Sequence, residues 1–459
     1  MSTASLATVG YMVLIIVVGL IASRKTTGKG VREFFVAGAN LSWFLLLPFV
    51  GAELATSWIA VGNAQMAHET GISVLMYFGG TVIGVLATVF LLSAFYVRLK
   101  MVSVGEVFGF LYDKKTRLAF AIFRLAVSWF IMGGVALQLG AILGPMFNIP
   151  YTAAAFVSAA IIAFFALMGL RGLAWMNLVH FTVLVVGFAI ATVAALNAVG
   201  GLDKLIASLP AGHLNPFAPG GATIASWMIP RIPEQAISLI LIMTFFAAKD
   251  LKNAKIGGIG GAVIILIVVL FPMTIGLCAR VLFPDIESQF ALWEMGNYCG
   301  PVISALVSIA TLACIVSTTP GTLLANTAVA TRDIFLLIRP ETSEKTQLNF
   351  SRIFSIAYIV TGTWLVLGEP MILMIIIRAA QTRFFLGFLI IISVLWRRIH
   401  PTAAFWTIIT SAGIGLIWWV AGSPFGISVM WPVLVVGTLT IIIASLINKP
   451  SQFKGAEGL

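Results

Sequence analysis

Apolar runs, each closed by charges or by Pro/Gly turns, follow one another along almost the whole chain. A run of about 20 such residues carries a helix across the hydrocarbon core of a bilayer. The pattern predicts thirteen spans, near 5–23, 40–67, 71–98, 118–145, 151–169, 173–199, 224–247, 256–283, 299–331, 351–367, 370–396, 401–421 and 427–447. The first run is too long for a signal sequence, lacks a basic start, and has no small-residue cleavage site before Arg24-Lys25, so it is expected to stay as a span.

Two of these spans are interrupted by polar and helix-breaking residues. The second reads LSWFLLLPFVGAELATSWIAVGNAQMA, with Pro48, Gly51, Glu53, Thr56 and Ser57 at mid-membrane depth, and the seventh opens with Pro230 and Pro233. They stand five spans apart, so the two run in opposite directions. Broken helices at corresponding places in two oppositely directed halves point to an inverted-repeat secondary transporter.

Composition sharpens the class. Of 459 residues, 60% are apolar and 9% charged, and the mean hydropathy is +1.08; soluble domains run at about 45–50% and about 25%. A soluble enzyme, a nucleic-acid binder and a disordered scaffold are excluded, and lipid is the expected surrounding partner. The net charge of +11 has its source in the loops. Twenty-one of the 27 Lys and Arg residues fall on alternate connections and the C-terminal tail. By the positive-inside rule the N-terminus is outside and the C-terminus cytoplasmic, in an inner or plasma membrane. Cys278, Cys299 and Cys314 have no paired or metal-like spacing and read as small apolar fillers.

The ninth span contains CIVSTTPGTLLANTAVATRDIF, where Cys314, Ser317 and Thr318 share one helix face. Two hydroxyls and a freed carbonyl make a neutral oxygen cluster suited to a small alkali cation, and Pro320 leaves a carbonyl one turn earlier without its N–H partner. Against this stands the habit of Ser and Thr in membrane helices of bonding their own i−4 carbonyls. Glu53 reads as the one acid well inside a span, and Arg378 and Arg383 lie within the eleventh. Charges at that depth are costly enough to be functional candidates. A Glu53–Arg bridge would only fix a gate, whereas a direct Arg contact would bind substrate. Glu106 and the KKTR run are expected to be solvated, and His180 and Gln138 to bond between helices. No phosphate loop, metal cluster or nucleophile–base pair is present in the sequence, which argues against an enzyme, and no ring of repeated selectivity residues argues for a channel.

The FFVAG entry to span two, GLRGLAWMNLVH in span six, AAKDLKNAK after span seven and the Ser-Thr to TRDIF stretch of span nine together resemble the sodium:solute symporter family. The resemblance implies an all-α integral membrane fold of thirteen helices, with two inverted five-helix repeats (40–200 and 201–398) whose first helices are broken. Residues 1–39 would add a span before, and residues 399–459 two after. It implies a Na+ site made by Ala52 and Ala55 with Cys314, Ser317 and Thr318. A substrate pocket would include Glu53, Ser57, Trp58, Ser238, Arg378 and Gln381. Sugar-transporting members carry acidic and amide side chains where this chain has Trp58 and Ile59, and a Gln-Arg pair where it has Met243-Thr244, so sugar is disfavoured. Asn177 and His180 replace a frequent acid and amide in span six. The expectation is therefore sodium-coupled uptake of a small carboxylate, with a zwitterion second. Proton-coupled or uncoupled transport is the alternative, and a channel the least favoured.

Overall fold

The computed structural model describes residues 3–24, 30–55, 58–367, 372–396 and 399–448, without the side chains of residues 3, 4, 53 and 372–380. Apart from one isolated bridge, the described residues form helices and turns. Each stretch that the hydropathy pattern marks contains helix. In order these are α1 Thr3–Ser23, α2 Trp43–Leu54, α3 Asn63–Thr70, α4 Val74–Leu99, α5 Val104–Leu111, α6 Lys114–Phe147, α7 Tyr151–Ala166 and α8 Gly169–Val199. They continue with α9 Gly221–Met228, α10 Leu239–Ala247, α11 Leu251–Leu282, α12 Pro301–Val329, α13 Glu344–Leu365, α14 Ile372–Leu395, α15 Pro401–Val420 and α16 Met430–Ile447. Nine helical stretches among the described residues are long and apolar enough to cross a membrane, and three further apolar helices are shorter. Large apolar side chains such as Leu14, Phe90, Ile122, Val193 and Leu416 point outward, whereas Ser317, Asn326, Thr327 and Asp333 are wholly buried. Helices suit such surroundings because every backbone group is paired within its own segment.

Both predicted breaks are present. α2 ends with Ala55 N–H bonded to Gly51 O at 3.0 Å, and the chain resumes in a wide π-type turn at Trp58–Gly62 before α3. In the second broken span, α9 gives way to a short turn at Arg231–Glu234 and a tighter one at Gln235–Ile237, and Ser238 (φ −60°, ψ 112°) restarts the chain as α10. Pro230 and Pro233 lack the N–H that would carry a regular helix through. The entry to α2 and the exit from α10 lie side by side: Leu41 N–H donates to Ala247 O at 2.8 Å, and Lys249 N–H donates to Leu41 O at 2.9 Å. One broken span therefore begins where the other ends.

The same junction is tied by side chains. Asp250 caps α11 by accepting from Asn253 N–H at 2.8 Å, a bond that holds its carboxyl below the usual carboxylate range, and Trp43 N–H donates to Asn253 Oδ1 at 2.7 Å. α11 packs against both halves of the first broken span. A Cβ on Gly261 would meet Val50, and one on Gly276 would meet Ala64 O, so both glycines permit the close approach.

Candidate functional site

Where α2 stops, the carbonyl of Ala52 faces α12. Ser317 Oγ lies 3.0 Å from Ala52 O and 3.1 Å from Cys314 O, and Thr318 Oγ1 lies 3.3 and 3.1 Å from the same two oxygens. Two carbonyls and two hydroxyls thus converge, with Ala52, Cys314 and Ser317 buried. Back-bonding to an i−4 carbonyl accounts for Thr318 and Cys314 but not for the reach of both hydroxyls to another helix. The carbonyl that Pro320 frees is that of Val316; the one in the cluster is Cys314's, held by side chains three and four residues on. Ala55 is buried directly after α2, and no described contact ties it to the hydroxyls.

A cavity of 240 Å³ opens beside the first break. Its walls include Trp58, Tyr77, Trp227, Arg231, Glu234 and Gln381. The Trp58 and Tyr77 rings are 5.5 Å apart, and the Arg231 guanidinium sits 4.5 Å from the Tyr77 ring centroid. Trp58 and Gln381 are thereby brought together. Ser238 is not among the lining residues; its hydroxyl accepts from Leu241 N–H at 3.4 Å and caps α10. Ser57 and the side chains of Glu53 and Arg378 lie outside the described residues.

The charges correct the expectation of a single deep acid, while the expected Glu53–Arg bridge lies outside the described residues. Glu234, at the midpoint of the 27-residue Gly221–Ala247 stretch, is a second deeply placed acid. It already falls inside the span expected at 224–247, one residue past Pro233. Arg383 pairs with Glu234: its Nη2 and Nε stand 2.6 and 2.9 Å from Oε1, while Arg231 Nη1 stands 2.8 Å from Oε2. Arg124, the single charge within 118–145, is also buried here, within electrostatic range of Arg383 and Glu234.

A second network joins α5, α6 and the end of α12. Arg332 Nε lies 2.7 Å from Glu106 Oε1, Arg117 Nε 2.8 Å from Asp333 Oδ1, and Ser103 Oγ donates to the same Asp333 oxygen at 2.8 Å. Glu106 and Arg117 are therefore engaged rather than solvated. His180 bonds Tyr11 of α1 through Nδ1, as an interhelical role requires.

Comparison with known proteins agrees with this architecture. The chain belongs to the sodium:solute symporter family, whose model matches residues 34–411. It is 22% identical to the osmoregulated proline transporter OpuE of Bacillus subtilis, over 96% of this chain and 94% of that protein. It is 24% identical to the sodium/glucose cotransporter of Vibrio parahaemolyticus, over 62% and 56%. Its fold matches a solved Na+-coupled sialic acid symporter with a TM-score of 0.81 at 15% identity, covering 97% of this chain and 98% of that one. The architecture is the LeuT-like fold of these transporters.

Proposed function

We propose that this protein couples inward movement of Na+ to uptake of a small carboxylate by alternating access. The observation that carries the coupling is the convergence of Ser317 and Thr318 on Ala52 O, because it sets hydroxyl and carbonyl oxygens of two helices around one point at a helix break. Ala52, Ala55, Cys314, Ser317 and Thr318 are the cation ligands in this reading. The cavity supports an anionic solute: Arg231 offers a planar fork for a carboxylate, and Trp58 and Trp227 supply apolar surface. Proline and sialic acid, named for two of the similar proteins, both carry a carboxylate; glucose, named for a third, does not. A zwitterion is the second reading, favoured by Glu69 and Glu234 in the same wall. The same proposal has thirteen spans, an outside N-terminus, and five-helix halves at 40–200 and 201–398.

Uptake of labelled L-proline and sialic acid into proteoliposomes tests it. An inward sodium gradient should drive uptake that a potassium gradient does not. A hydrogen bond or ligand contact to a charged group is worth about 1.5–3 kcal/mol, so Ser317→Ala and Thr318→Ala should each raise half-saturating sodium by about tenfold or more. Unchanged sodium dependence in both variants contradicts the cation site, and uptake of neutral solutes alone contradicts the carboxylate.

A further inference from the structure

Away from the cavity beside the first break, a larger one of 650 Å³ opens where the short helix Val31–Val36, the α4–α5 connection, α5, α6, the segment after α12 and α13 converge. Five cations line it, Arg32, Lys100, Lys114, Arg117 and Arg332, against two acids, Glu106 and Glu344. Part of this charge is spent within the wall. Glu106 Oε1 lies 2.7 Å from Arg332 Nε while its Oε2 accepts from Val102 N–H at 2.8 Å, and Arg117 Nε lies 2.8 Å from Asp333 Oδ1 behind the wall. Those four charges cancel. Arg32, Lys100 and Lys114 form no ion pair among the described residues, and Arg32 Nη2 donates to the neutral carbonyl of Lys100 at 3.2 Å. Glu344, whose carboxylate rests against Gly30, is the remaining acid of the wall, so three cations face one acid. The neighbouring groups do not reverse this excess. Glu33 beside Arg32 is taken by Arg171, Asp113 and Lys115 flank Lys114 with opposite signs, and residues 25–29, outside the described residues, hold Lys25 and Lys29 and no acid in sequence. Donors are left over as well: among the described residues Arg332 bonds through Nε and Arg117 through Nε and Nη2, which leaves Nη1 of both and Nη2 of Arg332 for a ligand.

We propose that this cavity binds a phosphate group, either free or carried by a lipid headgroup. Guanidiniums already fixed by Glu106 and Asp333 offer a phosphate N–H donors in a set geometry, so little side-chain freedom is lost on binding. Arg32, Lys100 and Lys114 supply the positive charge that the acids of the wall leave unbalanced, and a phosphate of one or two negative charges matches it. Val31, Met101 and Phe110 add apolar surface to the same wall, as a headgroup followed by its acyl chains requires. Basic pockets at the ends of membrane helices are where anionic headgroups dock. An anion held here ties α5 and α6 to the segment after α12, so its binding stabilises the fold.

The test follows the melting temperature of purified full-length protein during two titrations. One compares potassium phosphate with potassium chloride at equal ionic strength, the other dioctanoyl phosphatidylglycerol with dioctanoyl phosphatidylcholine. A rise with phosphate marks a site for the free anion, and a rise with phosphatidylglycerol but not phosphate marks a headgroup site; either supports the proposal. No rise with either, or a rise matched by chloride or by phosphatidylcholine, overturns it. Lys100 and Lys114 are exposed, so their loss leaves the fold intact. Lys100→Gln and Lys114→Gln should each raise the half-saturating concentration by about fivefold. Glu344→Gln, which removes the opposing acid, should lower it. Lys252→Gln changes an exposed lysine on α11 outside the cavity and should leave it unchanged. Equal losses from Lys252→Gln and Lys100→Gln would show diffuse attraction to surface charge and overturn the site, as would a Glu344→Gln variant that binds no more tightly than the wild type.

Discussion

Glu234→Gln removes one charge from the centre of the molecule while keeping the side chain's shape. In the native arrangement the carboxylate accepts from Arg383 at 2.6 and 2.9 Å and from Arg231 at 2.8 Å, with the Glu234 side chain 6% exposed and the two arginines 15% and 18%. The neutral amide keeps one acceptor oxygen and replaces the other with a donor that faces a guanidinium. Breaking a buried ion pair from one side is destabilising by about 3–5 kcal/mol, because the partner charge is left buried. Both arginines retain partial solvent contact, which places the expected loss toward the lower end, about 3 kcal/mol. Thermal melting of the purified protein followed by intrinsic tryptophan fluorescence reads the loss directly. The double variant Glu234→Gln with Arg383→Met should recover part of it, since the second change removes one stranded charge. A single variant that melts like the wild type, or a double variant no more stable than the single, would refute the reasoning.

Two further outcomes follow from the geometry. A Cβ on Gly387 of α14 would fall on the carbonyl of Pro233, next to Glu234, so Gly387→Ala should destabilise by about 1–3 kcal/mol through overpacking; melting equal to the wild type would show that the helices do not approach so closely. For the orientation, Ala211 and Ser343 are both exposed on connections: with Cys278, Cys299 and Cys314 replaced by Ala, Ala211→Cys should label with an impermeant maleimide on intact cells and Ser343→Cys only with a permeant one, and the opposite result reverses the topology.

Hydropathy alone determined the helical membrane class, because burial in lipid requires long apolar runs with internally paired backbones. That both spans are interrupted was also legible, although the first helix runs through Pro48 and Gly51 and stops only after Leu54, whereas the second breaks close to Pro230 and Pro233. So was the oxygen cluster on α12: Cys314, Ser317 and Thr318 share a face through helix periodicity. That Ala52 O meets them across 265 residues was implied by family resemblance and required the tertiary fold to become geometry. The charge pairing was not legible. Glu234 and Arg383 are 149 residues apart, Arg117 and Asp333 216 apart, and no local pattern ties such residues together. A window average hid Arg124 among apolar neighbours, although a lone charge within 118–145 was the available signal. Which guanidinium meets which carboxylate depends on where helices from the two halves meet, and packing decides that.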